Sequence, residues 1–226
     1  ERIEANCQGK TTIRFVTMGD SQRWYDETED FVKEINKRND IDFVIHGGDM
    51  SDFGLTKEFL WQRDIMNGLN VPYVVLIGNH DCLGTGAETY KAVFGPTNFS
   101  FIAGNVKFVC LNTNALEYDY SEPVPNFTFM EQEITSRLDE FEKTVISMHA
   151  RPYTDVFNDN VAKVFQHYIR QYPGIQVCTA AHTHHYQDDV IFDDGIHYVT
   201  SDCMDYRTYL VFTITPEKYE YELVKY

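Results

Sequence analysis

The sequence predicts an α/β fold built on a mostly parallel sheet, and three observations carry that prediction. Two apolar runs, Phe43-Val44-Ile45 and Val71 to Ile77, each end in a glycine-containing polar cluster, His46-Gly47-Gly48-Asp49 and Gly78-Asn79-His80-Asp81. Apolar runs of this length read as buried strands, and glycine beside them lets the backbone turn where a Cβ would collide. Helical patterns separate the early strands, giving the strand-helix alternation of a parallel sheet. Beyond residue 190 the pattern is strand after strand. Open sheets of this class bind ligands at the carboxyl ends of their strands, which is where the polar clusters fall.

Taken in order, a polar arm over about residues 1–10 precedes a first strand from Thr12 to Met18, which ends in Gly19-Asp20-Ser21-Gln22. Phe31, Val32 and Ile35 in a charged background predict a helix from about Thr28 to Arg38. Phe59, Leu60 and Ile65 predict a second helix between Thr56 and Asn67, with Trp61 at its edge. After Asp81 a glycine-bearing rim loop runs from Cys82 to Pro96, with a short helix near Glu88 to Val93. Phe99 to Ile102 and Val106 to Leu111 form a hairpin about Gly104-Asn105, and residues 112–127 make a second rim segment. Met130, Ile134, Leu138 and Phe141 recur at helical spacing, and Thr128 with Glu131 has the form of a capping box.

Lys143 to Met148 is the next strand and delivers His149, followed by the loop Arg151-Pro152-Tyr153. Val161 to Tyr172 carries the last helical pattern, ended by Pro173-Gly174, and Ile175 to Thr179 leads into Ala181-His182-Thr183-His184-His185. Strands then follow at Val190 to Phe192, Ile196 to Thr200, Tyr209 to Ile214 and Tyr219 to Val224. The 226 residues suit one domain, since no Ser/Pro/Gly-rich linker divides them.

Composition limits the function. With 35 acidic and 19 basic residues the formal charge is −16, which disfavours a nucleic-acid duplex or an anionic membrane as partner. No apolar segment reaches the roughly 20 residues that cross a bilayer. A start at Glu1 without an apolar signal region is compatible with a processed or trimmed chain and leans toward an exported or envelope location. Cys7, Cys82, Cys110, Cys178 and Cys203 include no CxxC pair, and the redox compartment stays open. Neither GxGxxG nor GxxxxGK[ST] occurs, so a dinucleotide fold or P-loop has no support.

Asp20, Asp49, Asn79, His149, His182 and His184 all fall just past a predicted strand. Each alone has an ordinary reading: the aspartates as helix caps, Asn79 as a turn former, His149 as a hydrogen-bonded loop residue. Together they supply nitrogen and oxygen donors for two divalent ions, and imidazole mixed with carboxylate suits Zn, Fe or Mn better than Ca²⁺. Asp49 is the candidate for a bridging carboxylate.

In this order the motifs resemble those of the calcineurin-like metallophosphoesterases. Asp20-Ser21-Gln22, Gly48-Asp49, Gly78-Asn79-His80-Asp81, His149 and Ala181-His182-Thr183-His184 follow that family's pattern over residues 19 to 184. The resemblance implies a four-layer αββα sandwich and a binuclear site. One ion would take Asp20, Asp49 and His184, with Gln22 standing where most members have a histidine ligand. The other would take Asp49, Asn79, His149 and His182. His80 would protonate the departing oxygen or stabilise phosphoryl charge, with Asp81 orienting its imidazole. Two ions about 3.5–4 Å apart would share a hydroxide for in-line attack on a monoester or diester of a small phosphorylated molecule. Gln22, a poorer donor than imidazole, leaves open a catalytically weak metal- or phosphate-binding protein on the same scaffold.

Further residues have two readings each. Arg151 can contact a substrate phosphate or make a surface ion pair. Asp52 can cap a helix or stand behind the ligands, and His46 is structural or lies behind them. His185 is solvated, and His197 belongs to the core or rim. Trp24, Tyr25, Tyr118, Tyr120, Phe127, Tyr153, Tyr186 and Tyr206 lie in rim segments, where they can stack on a nucleoside or sugar or simply pack.

Overall fold

A computed structural model describes residues 1–118 and 121–226; Tyr120 lies outside the described residues. The first sheet has the order β11-β10-β1-β2-β3 and the second β4-β5-β6-β7-β9-β8. In the first, β1 (Ile13–Met18), β2 (Phe43–His46) and β3 (Tyr73–Val75) run parallel. The chain's last strands, β10 (Thr208–Ile214) and β11 (Tyr219–Lys225), add to it antiparallel. In the second, β5 (Val106–Leu111), β6 (Lys143–Met148), β7 (Ile175–Ala180) and β9 (Tyr198–Thr200) are parallel. Antiparallel β4 (Phe99–Ala103) and β8 (Gln187–Asp189) form its edges.

The parallel strands are apolar on both faces because both faces are covered. Phe15, Phe43, Phe108 and Phe212 fill the space between the sheets, with Phe15 stacked on Phe43 and edge-on to Phe108. Helices α2 (Tyr25–Ile35), α3 (Thr56–Met66) and α4 (Gly86–Phe94) cover the outside of the first sheet, contributing Phe31, Phe59 and Tyr90. Helices α5 (Phe127–Thr135) and α6 (Ala162–Ile169) cover the second through Met130 and Phe165. The result is the four-layer αββα sandwich.

Four local expectations are corrected. The polar arm is largely helical: α1 (Arg2–Cys7) buries Ile3 and Cys7 in the core between the sheets. Helix α5 stops at Thr135, and Asn126, whose Oδ1 accepts from the Phe129 amide at 3.0 Å, caps it in place of Thr128. Helix α6 ends at Ile169, although Tyr172 beyond it is still buried. The first strand of the tail lies at Gln187–Asp189, while Ile191 and Phe192 pack against the outer core of the second sheet. All five cysteines are free. No helix among the described residues is long and apolar enough to cross a membrane.

Candidate metal centre

Every predicted ligand sits at one edge of the sandwich. Asp20 follows β1, Asp49 follows β2 and Asn79 follows β3 by a few residues; His149 follows β6, and His182 and His184 follow β7. The first sheet thus offers oxygen and the second imidazole. Asp20, Asp49, His182 and His184 have φ of 52°, 56°, 74° and 61°. This left-handed conformation costs a non-glycine residue on the order of 1 kcal/mol or more and persists where the surroundings enforce it.

The surroundings here are tight. A Cβ on Gly48 would lie 2.7 Å from His149 Nδ1, and one on Gly78 would lie 2.1 Å from Asp49 Oδ1. The Ala181 methyl occupies the space that Gly19 and Gly47 leave open, which explains how this position accommodates alanine. Backbone bonds bind the loops together: the Asp20 amide donates to the Gly48 carbonyl, those of Ser21 and Gln22 to that of Asp49, and that of Ala181 to that of His149.

The donors form two groups that share Asp49: Asp49, His149 and His182 in one, Asp20, Asp49 and His184 in the other. Within each, one ligand atom per residue lies within 4.8 Å of the others. His149 Nδ1 donates to the Gly47 carbonyl at 2.8 Å, which leaves Nε2 at 3.0 Å from Asn79 Oδ1 and 3.5 Å from Asp49 Oδ2. His184 Nε2 is 3.5 Å from Asp20 Oδ1. Gln22 is buried with its Nε2 3.4 Å from Asp49 Oδ2. Asp20 Oδ1 and Gln22 Oε1 are buried without a hydrogen-bond partner among the described residues. Buried polar atoms left so are uncommon and call for an explanation. A cation would satisfy both, and the mixed carboxylate, amide and imidazole set fits Zn, Fe or Mn.

Electrostatics agree. Burial alone would depress the His149 imidazole, but Asp49, helped by Asp20, pushes it up to about 9. The neighbouring Asp20 carboxylate, with Cys203, pushes His184 up to about 10. Burial raises the Asp49 carboxyl, and the charge and hydrogen bond of His149 more than offset this, holding it low. Protons on these imidazoles balance carboxylates that a metal cation would otherwise balance. His182 is held low by burial and by His149, and its Nε2 meets Asp155 Oδ1 at 2.5 Å.

The expected partnership of Asp81 with the His80 imidazole is not what the structure shows. Asp81 is fully buried and accepts hydrogen bonds from the amides of Asp49, Ser51 and Gly78 and from the Ser51 hydroxyl. Burial and Asp49 push its carboxyl up to about 6. His80 instead places Nδ1 2.8 Å from the Asp52 carbonyl and 3.7 Å from that residue's carboxylate, while its amide donates to Asp49 Oδ1 at 2.9 Å. The reason is local: Asn79 leads into a 3₁₀ turn over His80–Cys82, where successive side chains point about 120° apart. Asp52 is no helix cap either, because Glu58 Oε2 accepts from the Phe53 and Leu55 amides ahead of α3. The Asp52 carboxylate pairs with Arg23.

Arg151 donates to Gln187 Oε1 at 2.8 Å and Asp189 Oδ2 at 2.9 Å, so its observed partners are those of an ion pair on β8. His46 is buried and held neutral, burial pushing it down to about 3, and its Nε2 meets Ser21 Oγ at 2.8 Å. It braces the Asp20 loop. His185 is exposed against Tyr206, and His197 bonds Asp188 at the rim. Among the aromatics, Tyr25 packs edge-on to Trp61 and Phe127 stacks on Tyr168. The start of the segment 112–127 is no rim at all: Thr113 and Asn114 are fully buried, and Asn114 Nδ2 donates to the Ile77 carbonyl at 2.8 Å. Asp155 and Arg23 escaped the sequence reading, since each lies in a loop with no pattern around it.

Fold and edge together define a metal-dependent phosphoesterase of the αββα class. Residues 13–186 match the family model of the calcineurin-like phosphoesterases, and the chain belongs to that family. A search of the curated proteins returns no significant match. Among solved structures, a dimetal phosphatase from Danio rerio superposes with a TM-score of 0.79 at 11% identity, covering 96% of this chain and 98% of that one. GAP50, the anchor in the inner membrane complex of Plasmodium, gives 0.69 at 11% identity over 96% and 85%. Purple acid phosphatase PPD1 of yellow lupin (Lupinus luteus) gives 0.69 at 14% identity, covering 96% of this chain and 52% of the lupin chain. At these identities the neighbours establish the fold.

Proposed function

We propose that this edge binds two divalent or mixed-valence ions drawn from Mn, Fe and Zn, and that the chain hydrolyses a phosphoester of a small phosphorylated molecule. The observation that carries the reading is the pair of Asp/His groups with Asp49 common to both. One ion would be held by Asp20, Gln22, Asp49 and His184, the other by Asp49, Asn79, His149 and His182. Such ions, when bound, supply an acidified water as nucleophile and neutralise charge on the phosphoryl oxygens.

The chain's own residues do the rest. The Gly47 carbonyl fixes the His149 ring through Nδ1, so that Nε2 is the atom turned to Asn79 and Asp49. Asp81 holds the Asp49 backbone and the Gly78 turn in register. His80 donates Nδ1–H to the Asp52 carbonyl and its amide to Asp49, which leaves Nε2 without a protein partner among these contacts and able to carry a second proton when the ring is the imidazolium. It would hand that proton to the leaving oxygen, a step worth roughly 10²–10⁴-fold where it operates.

The test is hydrolysis of a monoester and a diester reporter by metal-stripped protein titrated separately with Mn²⁺, Zn²⁺ and Fe²⁺, with bound metal counted in the same samples. Turnover that needs about two ions per chain and is lost in Asp49→Ala supports the binuclear enzyme. One ion or none, without turnover, would favour a metal- or phosphate-binding protein instead.

A further inference from the structure

We propose that Arg23 binds the phosphoryl group's outer oxygens and thereby favours dianionic monoesters over diesters; the proposal rests on the phosphoesterase reading above. The acids Asp20, Asp49, Asp52, Asp81 and Asp155 crowd this edge, and the chain as a whole carries −16. An anionic substrate therefore needs positive charge placed on purpose. Arg151 is committed to Gln187 and Asp189. Arg23 directly follows Gln22, in a turn closed by the Trp24 amide donating to the Ser21 carbonyl at 3.0 Å. Its Nη2 donates to the Asp52 carboxylate, and the carbonyl of that same Asp52 holds the His80 ring at 2.8 Å. The guanidinium is thus tied to the residue that positions the imidazole.

Two further facts separate Arg23 from an ordinary surface arginine. Its φ is 63°, a conformation in which glycine would relieve strain. Arg137 and Arg207 share that conformation, but each reaches two carboxylates, Glu4 and Glu140 in one case, Asp30 and Glu27 in the other. Arg23 pairs with Asp52 alone among the described residues, and its side chain is 57% exposed. One edge of the fork is held and the side chain is largely exposed, which leaves N–H groups for a charge-assisted hydrogen bond to one phosphate oxygen. A monoester carries three non-ester oxygens and a diester two. Were two of those oxygens taken up by bound ions, only the monoester would retain one for Arg23.

The experiment measures inorganic phosphate affinity by calorimetry on Mn²⁺-loaded wild type, Arg23→Gly and Arg23→Lys, with Tm and both ester activities on the same preparations. Arg23→Gly should weaken phosphate binding about 10- to 100-fold, with a Tm at or above that of wild type because glycine accepts the backbone. Arg23→Lys should recover part of the loss. On esters, kcat/KM should fall about as much for the monoester but within about threefold for the diester. Phosphate binding in Arg23→Gly within twofold of wild type, an equal fall on both esters, or no measurable phosphate binding by wild type would each overturn the role of Arg23. Turnover that survives those results would leave the hydrolase reading standing. Conversely, Arg23-dependent phosphate binding by a wild type that cleaves neither ester would support the anion site and overturn the hydrolase.

Discussion

At the scale of the residue, the site depends on where Asp49 can stand. Its carboxylate lies against Gly78, whose missing side chain makes room for it, and its amide is fixed by Asp81. Gly78→Ala puts a methyl 2.1 Å from Asp49 Oδ1 and 2.3 Å from its amide nitrogen, so the carboxylate must move. Displacement on the order of 1 Å can cost about 10²-fold in rate. The variant should lose at least that much activity together with bound metal, and metal analysis beside kinetics checks it. Gln22 offers the opposite experiment. Its buried Oε1 has no hydrogen-bond partner among the described residues, yet an amide oxygen is a weaker ligand than imidazole. Gln22→His should tighten binding of the ion held with Asp20 and His184 by about tenfold or more, seen as a second step moving to lower concentration in a metal titration.

At the scale of the element, one buried cation reinforces the apolar join between α5 and the second sheet. Lys107 of β5 has no exposed side-chain surface, and its Nζ reaches the carbonyls of Glu133 and Ser136, the Ser136 hydroxyl and the Glu133 carboxylate at 2.9 Å. Removing Lys107 takes the cation from a half-buried Glu133 carboxylate and the donor from the Glu133 and Ser136 carbonyls, so Lys107→Ala should cost about 3 kcal/mol in urea unfolding. The same pair sets a pH limit. Burial raises the Glu133 carboxyl, but Ser100, Lys107 and Ser136 more than offset this and hold it below its ordinary value. A carboxylate with a depressed folded pKa contributes stability that is present above the unfolded pKa and lost as pH falls through the folded one. Between about pH 5 and 3 the wild type should therefore lose more stability than Glu133→Gln, as unfolding curves at each pH would show.

Elements also show what a sequence can and cannot tell. The strands feeding the site are readable because burial on both faces makes them largely apolar runs ending in a donor, with glycine beside it at Asp20, Asp49 and Asn79. Helix α1 was not, since Ile3 and Cys7 are its only buried residues and two positions make no period. Strand β8 reads Gln-Asp-Asp and owes its place to pairing with β9, while apolar Ile191 and Phe192 nearby serve the outer core. The donors could be found residue by residue, because each needs only a strand end. Asp81 could not be placed, because its direction is set by the turn at His80–Cys82, and neighbours in sequence there are not neighbours in space.

For the whole molecule, the decisive feature is that the two sheets bring different donors to one edge. Asp20, Asp49 and Asn79 belong to the first sheet, His149, His182 and His184 to the second. A bound ion would therefore join the two halves of the sandwich, beyond what the aromatic core between them supplies. It would also offset buried acids in a chain whose net charge of −16 already opposes compaction. Ligands that bind only the folded state stabilise it by mass action, about 4 kcal/mol when free ligand is 1,000 times its Kd. Removing metal with a chelator should then lower Tm by roughly 8–16 °C, at about 2–4 °C per kcal/mol for a domain of this size, and restoring Mn²⁺ or Zn²⁺ should return it. Asp49→Ala should abolish that dependence on metal, because it removes the one carboxylate common to both groups. A stabilisation that survived in this variant would mean the ions act elsewhere on the acidic surface, and the edge would then not be what holds the sheets together.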